Sequence, residues 1–222
     1  MTGEGALLVL GATGQTGRRV AEQALSRGLA VRALVRDRGR LPLHSARLGV
    51  VIGTPVDPGA VRQAMAGCRA VVSALGISRS SAWPWAGLTS PPDLMLCAMG
   101  NTIEAMRERA ATRIVVVSAG GVGDSAGDMP RGFGWLVEHS RIGAAYQGHE
   151  DQERLLQESG LRWTALRPSM LTSRPGSGQV LYSYRGRPRP RRSISRQTLA
   201  TALLDALDNP DLVHRAPTVS EW

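Results

Sequence analysis

The sequence predicts an α/β fold, with a doubly wound parallel sheet in a single domain that spans residues 1–222. Apolar strand-like runs alternate along the chain with helical patterns, which is typical of a parallel sheet covered by helices on both faces. A chain of 222 residues, 42% of them hydrophobic, is long enough for one sizeable core. A glycine-rich turn also lies between the first apolar run and the first helical pattern.

Apolar periodicity and turn-forming residues predict six strands and five helices, in alternation. The strands are predicted at residues 6–11, 30–36, 48–53, 70–75, 113–118 and 161–166. The helices are predicted at residues 15–28, 59–67, 92–111, 143–159 and 196–208. No repeat or low-complexity domain interrupts this order.

Particular residues justify these elements. Val20 and Ala24 share one face of the first helix, and Gly28 ends it in the usual way. The wholly apolar run 114–117 predicts a central strand rather than an edge strand. Ser195 precedes the last helical pattern and fits an N-cap.

The segment 11–17, Gly-Ala-Thr-Gly-Gln-Thr-Gly, has glycines at i, i+3 and i+6. The first glycine permits a tight turn out of the strand, the second lets backbone approach a pyrophosphate, and the third lets the helix pack closely on the strand. Free N–H groups of the first helical turn then attract phosphate, with the helix dipole behind them. The segment therefore predicts a dinucleotide site with contacts from Gly11, Thr13, Gly14, Gln15, Thr16 and Gly17.

The end of the second strand predicts which nucleotide binds. A site for NAD places a carboxylate about 20 residues after the glycines, on the ribose 2′-hydroxyl. This chain has Arg36 there, followed by Arg38 and Arg40, and guanidinium groups match a 2′-phosphate. Asp37 is either a ligand of a ribose hydroxyl or a solvated turn residue. We therefore expect NADPH to be preferred over NADH.

Composition excludes several classes of function. All 27 basic residues are arginine, so neither a lysine Schiff base nor a Tyr-x-x-x-Lys dyad exists. Two cysteines, Cys68 and Cys97, indicate buried thiols rather than a disulfide framework or a metal site. No run approaches the ~20 apolar residues that span a bilayer, and no signal-like segment opens the chain. We expect a cytoplasmic protein without membrane contact.

The formal charge of +9 favours anionic partners. The densest run, residues 185–192, is either a nucleic-acid patch or a solvated Pro-rich connection. It lacks the interleaved aromatic residues that stack on bases, so we favour the connection and expect no nucleic-acid partner.

The loops at the carboxyl ends of the strands are expected to bind the substrate, because ligands of such sheets bind there. The substrate region is predicted in loops 76–92, 119–142 and 168–192. Trp83 and Trp85 are either a lid over an aromatic substrate or surface packing. The predicted substrate contacts are Trp83, Trp85, Ala119, Trp135 and Tyr146.

With these residues in view, the chain resembles the atypical short-chain dehydrogenase/reductases of the NAD(P)H-binding, NmrA-like group, and within it the biliverdin-IXβ reductase/flavin reductase family. The resemblance runs nearly end to end. It rests most specifically on segments 11–17 and 34–42. Further support comes from segments 74–76, 100–106, 117–119, 158–161, 167–168 and 194–195.

The resemblance implies a Rossmann-like fold that binds NADPH. It implies that Arg36 and Arg40 hold the 2′-phosphate, that Leu75 and Gly76 border the cofactor, and that the nicotinamide lies near Ser118 and Pro168.

The chain departs from this group at three positions. Thr54 stands where an acid contacts adenine, Ala145 where a tyrosine donates a proton, and His149 where a lysine lies. Tyr146 is one residue off register, about 100° around the helix. His149 and Glu153 share a helical face at i and i+4, so they form either an oriented catalytic pair or a surface pair.

The sequence predicts an NADPH-dependent oxidoreductase that transfers hydride to an extended aromatic acceptor, namely a flavin, a quinone or a polycyclic ketone, in a role conceivable for bacterial secondary metabolism. Ser118 and His149 are the candidate catalytic residues. The alternatives are an NADP-sensing regulator without turnover and a redox-neutral isomerase or cyclase. The expected partner is a small aromatic substrate, and the expected state is a monomer or homodimer.

Overall fold

The computed structural model describes residues 5–222, where strands and helices alternate. The strands are β1 Ala6–Leu10, β2 Val31–Val35, β3 Leu48–Ile52, β4 Cys68–Ser73, β5 Arg113–Val117, β6 Arg162–Pro168, β7 Met170–Thr172, β8 Val180–Ser183, β9 Ser193–Ser195 and β10 Thr218–Glu221. The helices are α1 Gln15–Ser26, α2 Pro58–Met65, α3 Leu94–Glu108, α4 Arg131–His139, α5 Ile142–Glu158 and α6 Arg196–Asp208.

Eight strands form one sheet in the order β3-β2-β1-β4-β5-β6-β10-β8. All neighbours pair in parallel except β8, which runs antiparallel to β10 at the edge. The chain reverses its direction of travel between β1 and β4, so the carboxyl ends of these two strands form the switch point where such sheets bind ligands. The doubly wound parallel sheet predicted from the sequence is confirmed.

The core consists of two apolar layers, one on each face of the sheet. α1 and α6 cover one face, and α2, α3 and α5 cover the other. The strand β5 is buried along its whole length, which confirms that the run 114–117 is central. Ser118 directly follows β5, so the buried strand holds Ser118 at the carboxyl edge of the sheet.

The six predicted strands and five predicted helices are present, with ends shifted by a few residues. The sequence prediction missed α4 and the strands β7 to β10. α4 lies inside the predicted loop 119–142, where glycines at 132 and 134 mask the helical pattern. β7 and β9 have only three residues each and pair with one another, so their periodicity is too short to read.

The arginine-rich run 185–192 connects β8 to β9. Its arginines are exposed, and the Arg191 guanidinium carbon lies 5.5 Å from the centre of the Trp222 ring. The Arg191 backbone N–H also donates to Ser220 Oγ at 2.9 Å. Across residues 5–222, no helix is both long enough and apolar enough to cross a membrane.

The last strand anchors the start of α6. Ser195 is the N-cap, and its hydroxyl accepts from the Thr198 backbone N–H at 3.0 Å, as the sequence predicted. The Glu221 carboxylate accepts the Ser195 backbone N–H at 2.8 Å and the hydroxyls of Ser195 and Thr198. Burial alone would raise the pKa of Glu221, but these hydrogen bonds outweigh burial and lower it.

We expect Glu221→Gln to lower the free energy of unfolding by about 1–2 kcal/mol at pH 7, because the variant loses charge-assisted hydrogen bonds to the start of α6. The pKa of Glu221 is lower in the folded protein than in the unfolded chain. The stabilisation is therefore complete above the unfolded-state pKa of Glu221 and is lost as the pH falls through its folded-state pKa. Urea unfolding at several pH values measures the difference. An equally large difference at pH 3 and at pH 7 would contradict this assignment.

Candidate functional site

A cleft of about 500 Å³ lies at the carboxyl ends of β1 to β4. Eight of the predicted cofactor residues line it: Gly11, Thr13, Gly14, Gln15, Thr16, Arg36, Leu75 and Gly76. Gly17 is buried, and Arg40 and Pro168 do not line the cleft. The cleft therefore unites the glycine turn with the ends of the neighbouring strands.

The glycine turn has the geometry that the sequence predicts. Gly11 has φ +77°, and a Cβ built on it would lie 2.6 Å from the Ala74 carbonyl oxygen. A Cβ on Gly17 would overlap the Gly11 carbonyl oxygen, so glycine is required for α1 to pack this closely. Gly14 is the N-cap of α1 and supplies no side-chain acceptor for the first-turn N–H groups. Those donors, with the dipole of α1 behind them, fit a pyrophosphate.

The three arginines after β2 do not act together, although the sequence allowed up to three guanidiniums to reach the same phosphate. Arg38 instead donates to the carbonyl oxygens of Leu41 and Leu43 and holds the turn. Asp37 caps the same turn, where its carboxylate accepts the Gly39 backbone N–H at 2.8 Å. Asp37 is therefore a turn residue.

Arg36 and Arg40 remain available for a ligand. Both are exposed, and neither side chain has a hydrogen bond or ion pair with another residue of the described part of the chain. Arg36 lines the cleft directly. An unpaired guanidinium at the end of β2 fits a 2′-phosphate.

The far wall of the cleft is uncharged. Gly53, Thr54, Pro55 and Val56 line it, so Thr54 occupies the wall without adding a carboxylate. A Cβ on Gly53 would lie 2.6 Å from Ala60 Cβ, so glycine lets α2 approach β3. The mainly apolar wall fits the face of a planar base.

A buried charged network lies beneath the end of β5. Ser118 is 2% exposed, and its hydroxyl donates to Glu153 Oε1 at 2.5 Å. Arg167 donates to both oxygens of Glu153, at 3.0 and 2.6 Å, and also to Asp124. The Arg167 hydrogen bond lowers the pKa of Asp124. The Ser118 hydroxyl proton is therefore committed to the Glu153 carboxylate, which Arg167 holds in place.

The expected pair of His149 and Glu153 is not formed, so this expectation was wrong. Glu153 binds Ser118 and Arg167 instead, and both residues of the expected surface pair are buried. His149 Nδ1 is buried without a hydrogen-bond partner among the described residues. Burial lowers the pKa of His149 to about 4, so its imidazole is neutral at pH 7.

Aromatic side chains of the loop 76–92 and of α4 lie together. The Trp83 and Trp85 ring centres are 5.4 Å apart, and Trp135 stacks on His139 at 4.9 Å. Trp85 Nε1 donates to the His139 carbonyl oxygen at 3.0 Å, which joins the loop 76–92 to α4. The three tryptophans are 46–65% exposed. They form an aromatic surface next to the loops of the sheet.

Tyr146 approaches the segment that follows β5. Its hydroxyl donates to the Gly120 carbonyl oxygen at 3.1 Å, directly after the partly exposed Ala119. Burial raises the pKa of Tyr146. The catalytic and substrate roles of these residues stay predictions.

Sequence reasoning missed Arg196, the first residue of α6, and Leu94 of α3 as residues of the cleft. Ser90, Pro91 and Leu171 also line it and lie in the predicted loops 76–92 and 168–192. These residues belong to distant segments that meet only through the packing of α6 and α3. The N-cap at Ser195 was the one available signal, because it places Arg196 at a helix start.

The parallel sheet, its switch point and the glycine turn define a Rossmann-like fold of the kind that binds a dinucleotide. A protein-family model described as NAD(P)H-binding matches residues 11–210. The chain belongs to this NAD(P)H-binding family, in agreement with the resemblance seen in the sequence.

Two relatives are similar over most of the chain. An uncharacterized chloroplastic protein of Arabidopsis thaliana, At2g34460, is 28% identical over 211 residues, which cover 90% of this chain and 71% of the relative. YhfK of Bacillus subtilis (strain 168), named an uncharacterized sugar epimerase, is 25% identical over 224 residues, covering 97% and 94%.

Two solved structures show the same fold. A short-chain dehydrogenase/reductase from Veillonella parvula DSM 2008 in complex with NADP has a TM-score of 0.79 at 21% identity, covering 99% of this chain and 95% of that one. ChuY of Escherichia coli O157:H7, an anaerobillin reductase, has a TM-score of 0.78 at 20% identity, covering 97% of each chain.

The buried neutral state of His149 predicts a dependence of stability on pH. Unfolding raises its pKa from about 4 to 6.5, so the unfolded chain binds more protons between these values and stability falls as the pH falls. We expect wild type to lose about 2 kcal/mol relative to His149→Gln between pH 7.5 and pH 5.

Urea unfolding of both proteins across this range measures the effect. The exposed His44 offers a matched control, because His44→Gln is expected to follow the wild-type curve. Parallel curves for wild type and His149→Gln would show that His149 is not held neutral.

Proposed function

We propose that the protein is an NADPH-dependent oxidoreductase that reduces an extended aromatic acceptor. The observation that carries the proposal is that Arg36, which has no partner among the described residues, lines the same cleft as the neighbouring glycine turn. The distribution of donors matches an adenine dinucleotide with a 2′-phosphate, since a cation stands where an NAD site has a carboxylate.

Each part of the cofactor has a group to receive it. The first turn of α1 would bind the pyrophosphate, Arg36 and Arg40 the 2′-phosphate, and Thr54 with its apolar neighbours the adenine. Leu75 and Gly76 would border the cofactor on its way toward Ser118 and Pro168. When bound, NADPH supplies the hydride.

The described side chains favour an acceptor that needs no acid from the protein. The Ser118 proton is held by Glu153, and the neutral His149 is a weak acid. A ketone needs a positioned donor for its developing alkoxide, whereas a flavin or quinone takes its later proton from water. We therefore propose a flavin or quinone before a polycyclic ketone, with Trp83, Trp85 and Trp135 as the surface that receives its rings.

The same observations support one alternative. A protein that lacks a proton donor at Ala145 and contains no lysine is also suited to bind NADP without turnover, as a sensor. The relative named a sugar epimerase extends the alternative to a redox-neutral reaction. Net oxidation of NADPH separates the reductase from both, because a sensor does not turn over and a redox-neutral enzyme does not consume the cofactor.

We expect Arg36→Ala to raise the dissociation constant of NADPH by about 10- to 100-fold, because the loss of one charge-assisted bond costs roughly 1.5–3 kcal/mol. The constant for NADH should change little, since NADH has no 2′-phosphate. Titration calorimetry with both nucleotides measures the two constants.

The matched control is Arg62→Ala, which removes a guanidinium from a surface pair with Glu108 on α2 and α3. That variant should bind both nucleotides like wild type. An unchanged ratio of the two constants in Arg36→Ala would remove the basis for NADPH preference.

Purified protein is expected to oxidise NADPH steadily in the presence of menadione or FMN, above a control without protein. Ser118→Ala should keep most of the menadione rate, rather than suffer the ~10²–10⁴-fold loss that follows removal of a general acid. Absorbance at the nicotinamide band measures both rates. Tight NADPH binding without turnover over a broad quinone panel would favour the sensor or the isomerase.

A further inference from the structure

Arg196 lies where the cofactor cleft meets α6. It is the first residue of that helix and lines the cleft with Gly14, Gln15 and Thr16 of the glycine turn. Ser195 caps α6 by accepting the Thr198 backbone N–H, and Glu221 accepts the Ser195 backbone N–H, so the backbone directly before Arg196 is fixed. The position of Arg196 is therefore determined by the fold rather than by a flexible loop.

α1 and α6 pack side by side in parallel, and three contacts set their register. Gln23 Nε2 donates to the Gln197 carbonyl oxygen at 3.0 Å, and Thr201 Oγ1 donates to Gln23 Oε1 at 2.9 Å. Near the other end, Arg27 pairs with Asp205 at 2.7 Å. In this register the first residue of α6 lies about one helical turn further along than the first residue of α1. An arginine side chain at the start of α6 can reach back over that distance to the start of α1.

The charge of Arg196 has no carboxylate partner in the described part of the chain. Its hydrogen bond is to Ser173 Oγ at 3.1 Å, a neutral group. A second cation lies close by, because Arg19 donates to the Gln15 carbonyl oxygen at 2.8 Å. Burial and the charge of Arg19 together lower the pKa of Arg196. Two guanidiniums thus lie near the N-terminus of α1, and neither has a carboxylate partner among residues 5–222.

We propose that Arg196 binds the pyrophosphate bridge of the dinucleotide, as a cofactor-binding residue separate from Arg36. The inference rests on the proposed function, because it assumes a nucleotide in the cleft. Arg36 stands at the end of β2 and Arg196 at the start of α6, so they reach different parts of one ligand. Arg36 selects for the 2′-phosphate, and Arg196 strengthens binding of any adenine dinucleotide.

The test measures binding of NADPH, NADH and 2′-AMP to wild type, Arg196→Ala and Arg36→Ala by titration calorimetry. Arg196→Ala should weaken NADPH and NADH by the same factor, about 10- to 100-fold, and leave 2′-AMP unchanged, because 2′-AMP has no pyrophosphate. Arg36→Ala should weaken NADPH and 2′-AMP and leave NADH unchanged. Arg196→Lys should recover part of the loss.

Arg47→Ala is the matched control, because Arg47 donates to the Gly28 carbonyl oxygen beyond the opposite end of α1. It should bind all three probes like wild type. An Arg196→Ala variant with unchanged NADH affinity, or with weakened 2′-AMP, overturns the assignment of Arg196 alone. Failure of wild type to bind either dinucleotide overturns the proposed function itself.

Discussion

The close packing of α1 against the turn after β1 is the constraint on which the rest of the structure depends. A side chain at Gly17 would overlap the Gly11 carbonyl oxygen, and one at Gly11 would press on the Ala74 carbonyl at the end of β4. Glycine at both positions brings the start of α1 to the switch point of the sheet. The parallel neighbours β2 and β4 then place Arg36 and Leu75 around that helix start.

The chain contains 27 arginines and no lysine, and packing assigns the arginines different tasks. Arg38 and Arg113 donate to backbone carbonyls, so they hold turns and helix ends. Arg167 neutralises the buried Glu153 and thereby fixes the direction of the Ser118 hydroxyl. Arg36 and Arg196 line the cleft and have no carboxylate partner within the described residues 5–222. An arginine side chain is structural where other groups of the protein already accept its hydrogen bonds, and it is available to a ligand where they do not.

Local pattern was enough to predict the central sheet, its helices and the glycine turn. Buried parallel strands are continuous apolar runs, and α1 and α6 have ordinary end signals at Gly28 and Ser195. The edge strand β8 and the short pair of β7 and β9 were not predicted, because their pairing joins segments far apart in the chain. α4 was hidden by two glycines of low helix propensity, which packing against α5 overrides.

The sequence by itself determined the fold class and the nucleotide-facing turn, since both depend on residues close together in the chain. It also predicted that Arg36 lies beside that turn, because the distance from the glycines to the end of β2 is set by one helix and one strand. Only the tertiary structure decided the partners of the charges, because hydrogen bonding of a buried group depends on every element around it. Glu153 binds Ser118 and Arg167 rather than its helical neighbour His149, and Arg196 reaches the cleft because α6 packs parallel to α1.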